Sequence, residues 1–120
     1  SYKITSLYKL PHGHAVAVCL PEIWAYMIAN LDKCIDKRGQ EYLYSIFTQI
    51  SKAMGCKTVE QAIKVFRVLM KDMELANPIS DNREEDLKVL STSVNPVRLN
   101  NNPVELDAAT IHHSYEAIIE

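Results

Sequence analysis

Ala15-Val-Ala-Val-Cys-Leu-Pro-Glu-Ile-Trp-Ala-Tyr-Met-Ile-Ala-Asn-Leu31 is apolar or small at nearly every position, interrupted only by Pro21, Glu22 and Asn30. A helix that is greasy on all sides has to be enclosed by other elements, so this segment reads as the central helix of a bundle. A membrane span is the competing reading, but the run is short and Glu22 falls near its middle. Pro21 lacks a backbone donor and predicts a kink or a break at that point.

The segments that would enclose it follow downstream. From Glu41 to Met54, Leu43, Ile46, Phe47, Ile50 and Met54 recur at three- and four-residue steps, with Ser45, Thr48, Gln49 and Lys52 opposite. That is an amphipathic helix, and Gly55 stands where a left-handed cap is expected. Thr58-Val-Glu-Gln61 reads as a capping box opening a further helix, with Val59, Ala62, Ile63, Phe66, Leu69, Met70 and Met73 as its buried face. Asn77-Pro78 stops it, because the residue before a proline avoids helical geometry. A shorter helix begins at Asn82 and runs through Leu87 and Leu90 toward Asn95-Pro96. The stretch Asn95 to Leu106 reads as a loop. Asp107 then caps a terminal helix with Ala108, Ile111, Tyr115 and Ile118 on one face. No alternating strand pattern appears anywhere. The fold class is therefore all-α, a bundle of five or six helices.

Composition narrows the function. The chain has 120 residues, one domain's worth, and 48% of them are hydrophobic, enough to build a core. Thirteen Lys and Arg against 15 Asp and Glu leave a net charge of −2, which gives no attraction to nucleic acid. Three cysteines without a C-x-x-C pair suit a reducing compartment, and Ser1-Tyr2-Lys3-Ile4 does not read as a signal peptide; the expectation is cytoplasmic. Cys19 and Cys34 fall in apolar surroundings as packing residues, whereas Cys56, after the cap, is expected to be exposed. Asp32 and Asp36 alternate with Lys33, Lys37 and Arg38, a solvated ion-paired face rather than an acid/base pair.

One segment does not fit a plain bundle. In Leu10-Pro11-His12-Gly13-His14-Ala15, two histidines flank a glycine in what reads as a loop just before the most apolar helix. Imidazole is a common ligand of divalent metals, although a full site needs three or four donors. The plain alternative makes His12 a turn residue and His14 a cap. His112 and His113 are neighbours in the terminal helix and diverge by about 100°, so at least one faces solvent. There is no G-x-G-x-x-G, Walker loop, G-x-S-x-G or H-E-x-x-H.

Ser1-Tyr-Lys-Ile-Thr-Ser-Leu-Tyr-Lys-Leu-Pro-His-Gly-His-Ala-Val-Ala-Val-Cys-Leu-Pro21 resembles the metal-binding stretch of the iron-containing alcohol dehydrogenase family, where a Pro-His-Gly segment precedes a small-residue helix ending in Leu-Pro. Ser91-Thr-Ser-Val-Asn-Pro-Val-Arg-Leu-Asn-Asn-Asn-Pro-Val-Glu-Leu-Asp107 resembles the same family's C-terminal Asn-Pro segment. The resemblance implies the helical C-terminal domain of the two-domain dehydroquinate-synthase-like architecture. An α/β domain that binds NAD(P) and the first helices of this domain would lie outside residues 1–120.

In that family an aspartate and three histidines hold the metal, Fe2+ or Zn2+. The resemblance puts the last of these histidines at His12 and the one before it three positions upstream of Ser1. Tyr2 stands where many relatives carry a histidine close to the substrate, and His14 where many carry a small or apolar residue; both fall near the substrate. Ser91 and Asn95 lie in a stretch that approaches the nicotinamide and substrate. The implied reaction is reversible hydride transfer between NAD(P)H and a small aldehyde or alcohol, phosphonoacetaldehyde being one such substrate. It needs the complete enzyme, so neither metal nor cofactor is expected to bind these 120 residues tightly. The surface that would meet the other domain also invites a homo-oligomer. The alternative from another class is a self-contained interaction module, docking a partner helix on its Met-bearing faces.

Overall fold

A computed structural model describes residues 1–120. Its architecture follows from one long helix, α2 (His12–Ala29), which passes between two groups of helices. Before it comes α1 (Tyr2–Tyr8); after it come a single 3-10 turn (Leu31–Lys33), α3 (Gln40–Ala53), α4 (Val59–Asp72), α5 (Arg83–Thr92), the one-turn α6 (Pro96–Leu99) and α7 (Ala108–Ile118). The all-helical reading holds, with seven helices instead of five or six. The two extra ones are short. A helix of one or two turns shows too few apolar repeats to stand out in a sequence, and tertiary packing makes it stable. The stretch 95–106 is thus not all loop. It contains α6 and then pairs Val104 with Cys34 in an isolated bridge, through Ile35 N–H to the Pro103 carbonyl (2.8 Å) and Glu105 N–H to the Lys33 carbonyl (3.0 Å).

α2 runs without interruption through Pro21, so of the kink or break expected there the break does not occur. Pro21 is fully buried, and, lacking an N–H, it donates no bond to the carbonyl four residues earlier. Along α2 the buried residues are Ala15, Val18, Pro21, Trp24 and Met27, one every three positions. Ala15 and Val18 join a first core with Ile4, Leu87, Leu90, Ile111, Tyr115 and Ile118. Trp24 and Met27 join a second, with Leu43, Phe47, Val59, Ala62, Ile63 and Val104. No helix is long and apolar enough to cross a membrane.

The cap residues act largely as their sequence positions predict. Asn82 accepts from the Glu85 N–H (3.4 Å) and Asp107 from the Thr110 N–H (2.7 Å). Thr58 accepts from the Gln61 N–H (3.1 Å), but the Gln61 side chain reaches past the cap to the Lys57 N–H (2.9 Å). The buried faces need more correction. On α3 the inward line is Leu43, Phe47 and Ser51, while Ile50 is 43% exposed. Ser51 tolerates burial because its hydroxyl donates to the Phe47 carbonyl (2.8 Å). On α4, Val59, Ala62, Ile63 and Met70 are buried, but Leu69 and Met73 face solvent with Val65 and Val68, since α2 and α3, its main packing partners, lie on the other side. Ala108 is exposed and Cys56 is buried, each the reverse of its expectation. Cys56 turns inward because it is the residue on which the α3 cap closes.

That cap is a Schellman arrangement: Cys56 N–H to the Ser51 carbonyl (2.8 Å) and Gly55 N–H to the Lys52 carbonyl (2.9 Å), with Gly55 at φ +76°. α4 ends the same way, through Leu75 N–H to Met70 (2.9 Å) and Glu74 N–H to Lys71 (3.0 Å), but here Glu74 takes the left-handed position at φ +58°. A Cβ in that conformation costs about 1 kcal/mol. Glu74→Gly should therefore raise unfolding stability by about 1 kcal/mol and Gly55→Ala should lower it by a similar amount, both read from urea denaturation.

α5 and α7 are tied at one end by Arg83, which donates to the Ile119 (2.9 Å) and Glu116 (2.7 Å) carbonyls at the end of α7. At the other end of α7, the Thr110 N–H and hydroxyl hold Asp107 ionised, its carboxyl below the ordinary value. A depressed carboxyl stabilises the fold above its unfolded pKa, and that contribution fades as pH falls through the lower folded value. The start of α7 should fray on acidification below about pH 4, an ordinary carboxylate value. Amide exchange at Thr110 and Ile111 would show it, and Asp107→Asn, which keeps the cap without the titration, should flatten the response.

Candidate metal centre

α1 stops where Lys9 adopts a left-handed conformation (φ 54°), and Leu10 and Pro11 turn the chain back. Pro11 is extended (φ −54°, ψ 141°) and occupies the cap position of α2, with no side-chain cap bond. His12, Gly13 and His14 therefore form the first turn of α2 and not a loop. Neither histidine is a cap. Proline just ahead of the first helical residue presets the entry angle, which is why the helix starts three residues before the apolar run.

The turn lays His12 against α1. Tyr2 and Thr5, three residues apart and so on one face of α1, both meet it. The Tyr2 and His12 rings stack with centroids 5.0 Å apart and planes 15° from parallel. Thr5 Oγ1 lies 3.3 Å from His12 Nδ1. Arg98 of α6 completes the arrangement, its guanidinium 5.4 Å from the Tyr2 ring centroid. His12 itself is exposed, and its Nε2 edge takes part in no hydrogen bond within the chain. The ring is thus supported on one face and one edge, with the other nitrogen open. The donor chemistry suits a divalent transition metal. His12 is a single donor, however: nowhere in the structure do three or more His, Cys, Asp or Glu side chains gather to hold an ion.

A family model described as the Fe-containing alcohol dehydrogenase family, C-terminal, matches residues 1–119. The chain belongs to the iron-containing alcohol dehydrogenase family. Comparison with curated proteins and with solved structures returned no match. The family match covers the sequence from Tyr2 and His12 to the end of α7, so the resemblances at the two ends of the chain fall within one continuous match.

The other site residues expected from the sequence lie elsewhere in this domain. His14 Nε2 is bonded to the Ala76 carbonyl (2.7 Å), tying the start of α2 to the α4–α5 connection. Ser91 bonds His112 Nδ1 (2.9 Å), and His112 Nε2 reaches Glu116 (2.8 Å), a chain that joins α5 to α7. His113 beside it is exposed. Asn95 caps α6 by accepting from the Val97 N–H (2.9 Å), one turn before Arg98. Tyr2 is thus the one expected neighbour in direct contact with His12. Thr5 and Arg98 carry no signal of their own in the sequence. The three-residue spacing of Tyr2 and Thr5 would have paired them had α1 been recognised, but Arg98 arrives only through the fold.

The thiols are quiet. Burial raises the Cys19 thiol above its ordinary value, so it keeps its proton and packs, as its apolar surroundings suggested. All three cysteines are free. The carboxylate pairing near Asp36 is also as expected: the Arg38 side chain donates to Asp36 (2.9 Å) and holds it down to about 2.

His14 makes a bond that ties two elements and can be removed without touching the Tyr2–His12 stack. His14→Ala should cost about 1 kcal/mol of unfolding stability in urea, and His14→Gln, whose amide can donate to the same carbonyl, should recover part of it.

Proposed function

We propose that this domain is the metal-binding helical part of an NAD(P)-dependent alcohol dehydrogenase that interconverts a small aldehyde and its alcohol. The observation that carries the reading is His12: an exposed imidazole, stacked and hydrogen-bonded on one side, with Nε2 free to coordinate. Family membership supplies the reaction class. A divalent metal bound there contributes Lewis acidity toward a carbonyl oxygen, and the nicotinamide contributes the hydride.

In this scheme the chain's own residues orient the ligand. Tyr2 and Thr5 restrict the His12 ring, and α2 anchors it by running directly into the buried Ala15 and Val18. Tyr2, stacked on the His12 ring, has a hydroxyl able to hydrogen-bond a substrate. Asn95 caps the helix that carries Arg98, whereas His14 and Ser91 are engaged in bonds that hold helices together. Because His12 is a single donor, catalysis depends on further ligands and on a nucleotide-binding domain that these residues do not supply. The free thiols suit a reducing, cytoplasmic setting.

A second reading, a helix-docking module, draws on Val65, Val68, Leu69 and Met73, which leave one side of α4 apolar and uncovered. The two readings separate in one experiment. Titration of residues 1–120 with Zn2+ and with NADH should give weak metal binding that His12→Ala abolishes, and no tight NADH binding. Tight NADH binding would overturn the placing of the nucleotide site outside these residues, and Zn2+ binding that His12→Ala leaves unchanged would overturn the metal role of His12.

A further inference from the structure

Thr5 has one hydroxyl proton and two acceptors within reach. Its Oγ1 lies 3.1 Å from the Ser1 carbonyl oxygen and 3.3 Å from His12 Nδ1. A carbonyl can only accept, and a threonine within a helix commonly donates to the carbonyl four residues earlier. With its proton on Ser1, the Thr5 oxygen meets Nδ1 as a lone pair. A bond then forms only if Nδ1 carries hydrogen. In a neutral imidazole this leaves Nε2 bare.

We infer that Thr5 is a positioning residue: its backbone-anchored hydroxyl holds His12 in the Nδ1–H tautomer and presents the Nε2 lone pair to a divalent transition metal. The Tyr2 stack assists by holding the ring plane, so the bond to Thr5 decides which edge points outward. The purpose of this tautomer rests on the metal role proposed for His12, whereas the tautomer itself is inferred from the placement of the Thr5 hydroxyl between Ser1 and His12. The arrangement matches the general pattern in which a ligating histidine donates its other ring N–H to an oxygen that fixes the ring.

The tautomer can be read directly by long-range proton–nitrogen correlation on the 15N-labelled chain, at a pH well above the ordinary imidazole range. Wild type and Thr5→Ser should show Nδ1–H at His12. Thr5→Val, which has the same shape without the hydroxyl, should shift the ring toward Nε2–H and weaken Zn2+ binding about 10-fold, followed on the His12 resonances. Circular dichroism of Thr5→Val should match wild type, confirming that the variant folds. An Nε2–H ring in wild type, or no tautomer change in Thr5→Val, would overturn the inference. Wild type with Nδ1–H but no Zn2+ response at His12 would leave the hold of Thr5 on the ring in place and overturn the metal role.

Discussion

A helix whose buried positions recur every three residues cannot keep one face inward. At about 100° per residue each step of three falls about 60° short of a turn, so the buried line moves around α2 by about 240° between Ala15 and Met27. This rotation organises the domain. At its N-terminal end α2 shares a core with α1, α5, α7 and the end of α4, and at its C-terminal end with α3 and the start of α4, two cores that share one shaft. A segment apolar on all sides is what such a helix needs, and Pro21 lies where the line crosses from one core toward the other.

The same constraint places His12. Once Ala15 and Val18 are fixed in the first core, the first turn of α2 has to lie beside α1, and His12 is left at its open edge. α1 is seven residues long and would not persist as a helix alone. Ile4, fully buried, pins it to the core, and Tyr8 ties it to α5 through a 2.7 Å bond to Asp86. Burial and that bond raise the Tyr8 phenol to about 12, so it stays protonated, a donor, well past neutral pH. The candidate metal ligand is therefore held by a helix whose own stability comes from Ile4 and Tyr8, not from its contacts with His12.

Much of this could be read along the chain because the signals are local. Gly55, Thr58, Asn82 and Asp107 each act on backbone groups within three or four residues, and all four stand at the helix ends they announce. The buried faces of α3 and α4 were read less well. Ile50, Leu69 and Met73 have the right spacing for burial, but spacing tells which residues share a face and not which faces find a partner. The Pro-His-Gly segment looked like a loop because proline and glycine usually punctuate turns; here proline sits in the cap position and the glycine is simply a helical residue.

Composition, spacing and motif order were enough for the helical class, the central place of α2, most of the caps and, through family resemblance, the singling out of His12. Each of these depends on residues close together in the chain or on a motif of fixed order. Only the tertiary structure decided which nitrogen of His12 is free. Thr5 and Tyr2 meet that ring from α1, Arg98 reaches the Tyr2 ring from α6, and their meeting is set by how far each helix rotates as it packs, a quantity no local spacing records.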